Sequence, residues 1–138
     1  MIICMQCGVQ VDKPLYYKYC SNKCQSIYEY NIYIDKWKQG KVSGVRGVNT
    51  KNFSGYVLKY IFRKFNNKCS ICDWSQINPI TGRVMLEIDH IDGNSDNNKE
   101  NNLQLLCPNC HSLTPYYRNL NNGKGRSWRR IKYIKNIS

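Results

Sequence analysis

The chain's only two histidines stand at Asp89-His90 and Cys110-His111. A lone histidine is usually a satisfied structural residue. Two of them brought together beside a carboxylate look like a site, because imidazole exchanges protons near neutral pH and is a common metal ligand. The eight cysteines fall into two sets of close pairs: Cys4-x2-Cys7 with Cys20-x3-Cys24, and Cys69-x2-Cys72 with Cys107-x2-Cys110. Sulfurs two or three residues apart reach one ion through a tight knuckle, and a second pair completes a tetrahedron. In a reducing compartment such pairs point to zinc rather than disulfides, so two structural Zn2+ are expected. The second set closes a long loop that contains Asp89 and His90, and its ion would fix the ends of whatever that loop builds.

Positioning these groups falls to a short series of elements. Val84, Leu86 and Ile88 alternate with Met85, Glu87 and Asp89, the pattern of a half-buried strand that ends at His90. Asp92-Gly93-Asn94 and Ser95-Asp96-Asn97-Asn98 are turn-formers, Leu103 to Leu106 read as a second strand, and Pro108 suits the first turn of a helix carrying His111. Pro115 should kink or restart that helix, with Thr114 as a new N-cap. Glu87 shares a strand face with Asp89 and is expected to make an ordinary ion pair with a nearby Lys or Arg. Upstream, Ser54 should cap a helix through about Asn67, with Leu58, Ile61, Phe62 and Phe65 inward and Lys59, Arg63 and Lys64 outward. An earlier helix should start at Ser21, place Ile27, Tyr30, Ile34 and Trp37 on one core-facing stripe, and stop at Gly40. The expected organisation is a zinc knuckle plus helix over 1–40, a basic linker with Gly44 and Gly47 over 41–53, a second zinc-stapled α+β core over 54–126, and a basic tail over 127–138.

Charge is distributed unevenly. With 21 Lys and Arg against 9 Asp and Glu in 138 residues, the formal net charge is +12, from which eight thiolates and two Zn2+ would remove only four units. Nine basic residues and no acid lie between Asp35 and Asp73, and seven more follow Glu100, again with no acid. Cationic stretches that flank a short acidic one suggest a grip on a polyanion around a cation-binding centre, with a merely solubilising surface as the plainer alternative. The expected DNA contacts are Lys59, Arg63, Lys64, Arg118, Lys124, Arg126, Arg129 and Arg130. No run approaches the roughly 20 apolar residues of a membrane span, and Met1-Ile2-Ile3-Cys4 is too short for a signal peptide, so a cytoplasmic location and no membrane partner are expected.

The segment Leu86-Glu87-Ile88-Asp89-His90-Ile91-Asp92-Gly93-Asn94, with Asn101-Asn102-Leu103-Gln104-Leu105-Leu106-Cys107-Pro108-Asn109-Cys110-His111, resembles the HNH endonucleases. Their ββα-metal core runs Asp-His, then Asn before a Leu-rich strand, then His on a helix; here these are Asp89-His90, Asn102 and His111. The resemblance is close over about 69–126, and the amino-terminal knuckle is similar to that of small phage-encoded members. Thr114 departs from the pattern, standing where many members carry Lys, which bears on phosphate affinity more than on the chemistry.

The resemblance implies that Asp89 and His111 hold one catalytic Mg2+ or Mn2+ with positions open for water and a phosphate oxygen, a task that carboxylate oxygen and imidazole nitrogen suit. His90 would be the general base, and Asn102, in preference to Asn101, would pin the loop and orient His90. The products would carry 5′-phosphate and 3′-hydroxyl ends. A single site would nick one strand, and a homodimer on DNA would break both. Phage homing, restriction-type and packaging roles all fit. The competing reading is a non-enzymatic zinc-finger nucleic-acid binder, which has no need of Asp89, His90 and His111; a ribonuclease is a weaker third.

Overall fold

The computed structural model describes residues 1–47 and 52–121. The chain divides into two units, one spanning Met1–Val42 and the other beginning at Ser43.

In the first unit, β1 (Ile2–Ile3) pairs antiparallel with β2 (Gln10–Val11) and frames the Cys4/Cys7 knuckle. Gly8, at φ +73°, returns its N–H to Cys4 O at 2.9 Å, a left-handed turn that suits glycine. The single long helix, α1, runs Asn22–Lys38, and its N-cap Ser21 accepts from Cys24 N through its side chain. Gly40 ends it in a Schellman turn: Gly40 N–H reaches Trp37 O at 3.0 Å and Lys41 N–H reaches Lys36 O at 2.8 Å. Ile34 and Trp37 are buried as the stripe requires, whereas Ile27 is 38% exposed. Residues near the start of α1 therefore lie off the core that its last turns enter.

The second unit begins with a turn where a linker is expected. Val45 bridges Phe53 in antiparallel fashion, Arg46 N–H reaches Asn52 O at 2.7 Å, and Ser54 N–H reaches Gly44 O at 2.8 Å. Gly44 is buried in this pairing, and the unit boundary falls after Val42, so the described residues 43–47 and 52–53 belong to the second unit. Ser54 then caps α2 (Gly55–Lys64) by accepting from Val57 N at 3.2 Å. This helix stops three residues short of Asn67. Asn66 and Asn67 adopt φ of 54° and 55°, and Asn67 N–H closes on Phe62 O at 2.8 Å, so asparagine takes the left-handed cap that glycine usually fills. Val57 and Ile61 are fully buried, and Leu58, Phe62 and Phe65 are half-buried; Val57 is the core residue the sequence pattern had missed.

The hairpin that follows consists of β3 (Glu87–His90) and β4 (Leu103–Leu106), paired antiparallel with Glu87 opposite Leu106, Asp89 opposite Gln104 and His90 opposite Leu103. Its first strand starts later than the alternation from Val84 suggests. Val84 bridges Ile77 in a separate turn, and Leu86 N–H turns back to Val84 O at 2.9 Å, so the ladder begins only at Glu87. Leu103, Leu105 and Leu106 are buried, and α2 packs on β4. Helix α3 (Pro108–Ser112) follows, with Pro108 in its first turn, and packs on both strands. The helix ends there without restarting at Thr114. Instead the Thr114 hydroxyl donates to His111 O at 2.8 Å, and a 3-10 turn follows at Arg118–Asn121. Among the described residues, no helix is long and apolar enough to cross a membrane.

Candidate active site

The hairpin register decides where each chemical group points. Side chains alternate across a strand, so Asp89 and Glu87 face one side and His90 the other. On the first side lies α3. His111 Nε2 is 3.6 Å from Asp89 Oδ1, and His111 Nδ1 is 2.9 Å from Glu87 Oε2. Glu87 thus meets an imidazole rather than the Lys or Arg expected for it. The second oxygen of Asp89 accepts from Gln104 Nε2 at 2.8 Å, directly across the ladder. Between Asp89 Oδ1 and His111 Nε2 there is room for an ion that touches both, since ligand bonds of about 2.1 Å span such a gap. Asp89 is 13% exposed and His111 27%, which leaves this opening reachable from solvent. Tyr117 meets the His111 ring edge-on at 5.3 Å.

On the other side, His90 stacks on Phe53, with centroids 5.5 Å apart and planes within 17°. Its Nε2 lies 2.7 Å from Asn98 Oδ1. An amide oxygen only accepts, so His90 donates from Nε2 and keeps the lone pair of Nδ1 for another proton. The amide that meets the His90 ring is that of Asn98, where Asn102 is expected, and its choice among so many asparagines has no signature in sequence.

Asn102 does pin the loop. It is 7% exposed. Its Oδ1 accepts from Asp92 N at 3.0 Å, while its Nδ2 donates to Asp92 Oδ1 at 2.9 Å and Asn97 O at 2.8 Å. Asp92 gathers further donors from Asn94 N and Asn97 Nδ2, both at 2.8 Å. Partial burial pushes the Asp92 carboxyl up, but hydrogen bonds from Asn97, Asn94 and Asn102, together with nearby His90, hold it below the usual carboxylate range. The loop that follows His90 is thereby tied back to the strand that precedes α3.

Each set of four cysteines has converged, with all ligand atoms of a set within 4.8 Å of one another. Sulfur separations of 3.7 Å (Cys7–Cys20), 3.5 Å (Cys20–Cys24) and 3.7 Å (Cys72–Cys107) match the edge of about 3.8 Å for a tetrahedron with Zn–S bonds of about 2.3 Å. All eight are free thiols. Backbone hydrogen bonds, first of all from Cys7, bring Cys4 down to about 6. At Cys69 burial opposes ionisation, yet backbone donors from Cys107, Cys72 and Ile71 bring it down to about 6 as well. Cys24 and Cys110 are pushed up to about 12, chiefly by their hydrogen bonds to Cys20 and Cys107. Four sulfurs at these distances could hold one cation as thiolates, and the donor set fits Zn2+.

Of the expected DNA contacts, Lys59, Arg63 and Lys64 lie on the exposed face of α2, where Lys64 pairs with Glu100 at 3.3 Å. Arg118 lies over the Tyr117 ring, with 5.0 Å between guanidinium and centroid. Lys124, Arg126, Arg129 and Arg130 fall outside the described residues.

Comparison with known proteins bears on the second unit. Residues 69–114 match the family model for HNH endonucleases, and this span contains the second cysteine set, both strands of the hairpin and α3. That matched segment is what resembles an HNH endonuclease domain. A 41-residue stretch of the chain is 54% identical to the H-N-H endonuclease F-TflIV of Escherichia phage T5. The match covers 30% of this chain and 18% of that protein, so the chain spans less than a fifth of the relative's length. No solved structure matches the chain. The matched segment is a mixed helix and strand fold whose cysteines have an arrangement that could hold zinc.

Proposed function

We infer that the protein is a metal-dependent DNA endonuclease whose HNH domain hydrolyses phosphodiester bonds. The observation that carries this reading is the approach of His111 Nε2 to Asp89 Oδ1, one residue from a histidine that faces the other way and is held by its own partner. A module that only binds nucleic acid has no use for an open carboxylate and imidazole pair beside a complete set of four cysteines.

Asp89 and His111 would hold the divalent ion, whose chemistry there would be to neutralise charge on the phosphate and on the departing 3′ oxygen. Gln104 fixes one oxygen of Asp89, which leaves the other for the ion. Glu87 accepts a proton-bearing Nδ1 of His111 and so keeps Nε2 directed at Asp89, the arrangement by which carboxylates orient ligating imidazoles. His90 takes a proton from the attacking water at Nδ1, with Asn98 receiving the Nε2–H. The P–O3′ bond breaks, the 3′ oxygen gains a proton from solvent, and the ends are 5′-phosphate and 3′-hydroxyl. Asn102 and Asp92 hold the loop so that His90 keeps its place at the strand end.

Supercoiled plasmid incubated with Mg2+, Mn2+ or EDTA, followed by mapping of ends on both strands, tests the reading. Nicked and linear products should appear with either ion and not with EDTA. His90→Ala should lose about 10^2 to 10^4 in rate while it binds DNA as the parent does, since a general base contributes that much. A wild type inert with every divalent ion would leave the binding-module reading in its place. A His90→Ala that cuts as fast as the parent would overturn the mechanism. Nicks on one strand indicate one chain per event; staggered breaks of fixed spacing indicate a dimer.

A further inference from the structure

His90 has a second neighbourhood, separate from the Asp89–His111 side. Arg46, Asn52, Phe53, Leu58, Ile88, His90 and Ser95 line an open recess of about 490 Å3. Three parts of the unit build it: Arg46, Asn52 and Phe53 ahead of α2, Leu58 in the first turns of α2, and the end of β3 with its following loop. The volume falls in the range of ligand clefts. One wall is aromatic and aliphatic, formed by Phe53, Leu58 and Ile88. The remaining positions carry a guanidinium, an amide, an imidazole and a hydroxyl, and among the described residues no carboxylate lines it. Ser95 Oγ is buried there and, among the described residues, meets no hydrogen-bond partner. A hydroxyl without a protein partner at an open recess is free to bond with solvent or with an occupant of the recess.

We propose that this recess seats one unstacked nucleoside of the strand being cut, its base or deoxyribose against Phe53, Leu58 and Ile88 and its phosphate within reach of Arg46. The occupant follows from the endonuclease reading, on which the proposal rests: the strand that presents a phosphate to His90 also brings an adjoining nucleoside to the recess that His90 lines. The chemistry agrees with it. A base offers a flat apolar face and polar edges, and aromatic walls with a nearby cation are the usual means of holding single-stranded nucleic acid. The enzyme would therefore favour targets in which a nucleotide next to the cut is already unpaired or easily unstacked.

Fluorescence anisotropy in EDTA separates binding from cutting. The probes are a labelled thymidine dodecamer and a deoxyribose-phosphate chain of equal length that lacks bases. Wild type should bind the thymidine chain about tenfold more tightly, the worth of about one stacked base. Phe53→Ala should lose most of that preference. Ser95→Leu, which fills the recess from a loop, should lose it too and decides the matter if Phe53→Ala fails to fold by circular dichroism. Arg46→Gln should weaken both probes alike and flatten the salt dependence by about 0.7 in slope, one phosphate contact on a single strand. A folded Phe53→Ala or Ser95→Leu with the wild-type preference overturns the proposal, as does a wild type that binds both chains equally. A protein that shows the preference yet never cuts plasmid DNA overturns the endonuclease reading alone.

Discussion

At the scale of single residues, the site divides into groups whose chemistry is visible in their type and groups visible only through their partners. Asp89, His90 and His111 stand in a recognisable pattern that includes the chain's two histidines, and the fold brings Asp89 and His111 within 3.6 Å of each other. Glu87 and Asn98 are different. Glu87 meets His111 because α3 folds over the exposed edge of β3, and Asn98 meets His90 because the polar loop turns back on itself. Neither contact leaves a trace in spacing, since the loop is rich in asparagines that look alike in sequence. The Glu87 contact has a measurable consequence. Outer carboxylates that orient a ligating imidazole are typically worth about 10-fold to 100-fold in metal affinity. Glu87→Ala should weaken Mn2+ binding by that factor, read as free Mn2+ by electron paramagnetic resonance. Glu87→Gln, which keeps an acceptor oxygen, should recover much of it. Equal affinity in all three proteins would reduce Glu87 to a surface neighbour.

Elements were legible in kind more than in extent. Hydrophobic alternation identified β3 and β4, and serine caps identified the starts of α1 and α2, because those signals are local. Where elements end depends on which carbonyl a given N–H finds, as at Leu86 and Asn67. The loop between β3 and β4 is the element most dependent on a charge. Asp92 receives donors from Asn94, Asn97 and Asn102, and its carboxyl lies below the ordinary range. A carboxyl depressed in the folded state contributes stability above its unfolded value, near 4, and loses that contribution as pH falls toward its folded value. Thermal melting of wild type and Asp92→Asn should thus differ most from about pH 5 to 7 and converge below about pH 4. A gap that stays constant down to pH 3 would mean that the ionised form of Asp92 has no part in holding the loop.

Two units, each with its own set of cysteines, make up the whole molecule. Small modules of this size bury too little surface to be comfortably stable without a staple, and structural zinc supplies folding free energy directly. Elemental analysis should find two zinc ions per chain. Cys107→Ser should lose one of them and the protection of β3 and β4 amides in hydrogen exchange, whereas Cys4→Ser should lose one and leave those amides protected. Retention of β3 and β4 protection in Cys107→Ser would show that the hairpin stands without its staple. The cysteine sets were plain in sequence because four thiols at knuckle spacing have few other uses. The division at Val42 was obscured by glycines that read as a linker, although Gly44 and Val45 pair with the start of α2 and with Phe53.

One sulfur belongs to two structures at once. Cys107 Sγ accepts from Cys110 N at the head of α3, and the same atom lies 3.7 Å from Cys72 Sγ within the zinc set. Only five residues long, α3 cannot persist by its own hydrogen bonds, yet it carries His111. Whatever holds these sulfurs therefore also holds the imidazole, and on the proposed function an ion at each place would be thermodynamically linked to the other through one turn of helix. Linkage runs both ways with the same factor. If an ion rests on Asp89 and His111 as proposed, it would alter the grip of the four cysteines on theirs by the same factor as that grip alters its own seat.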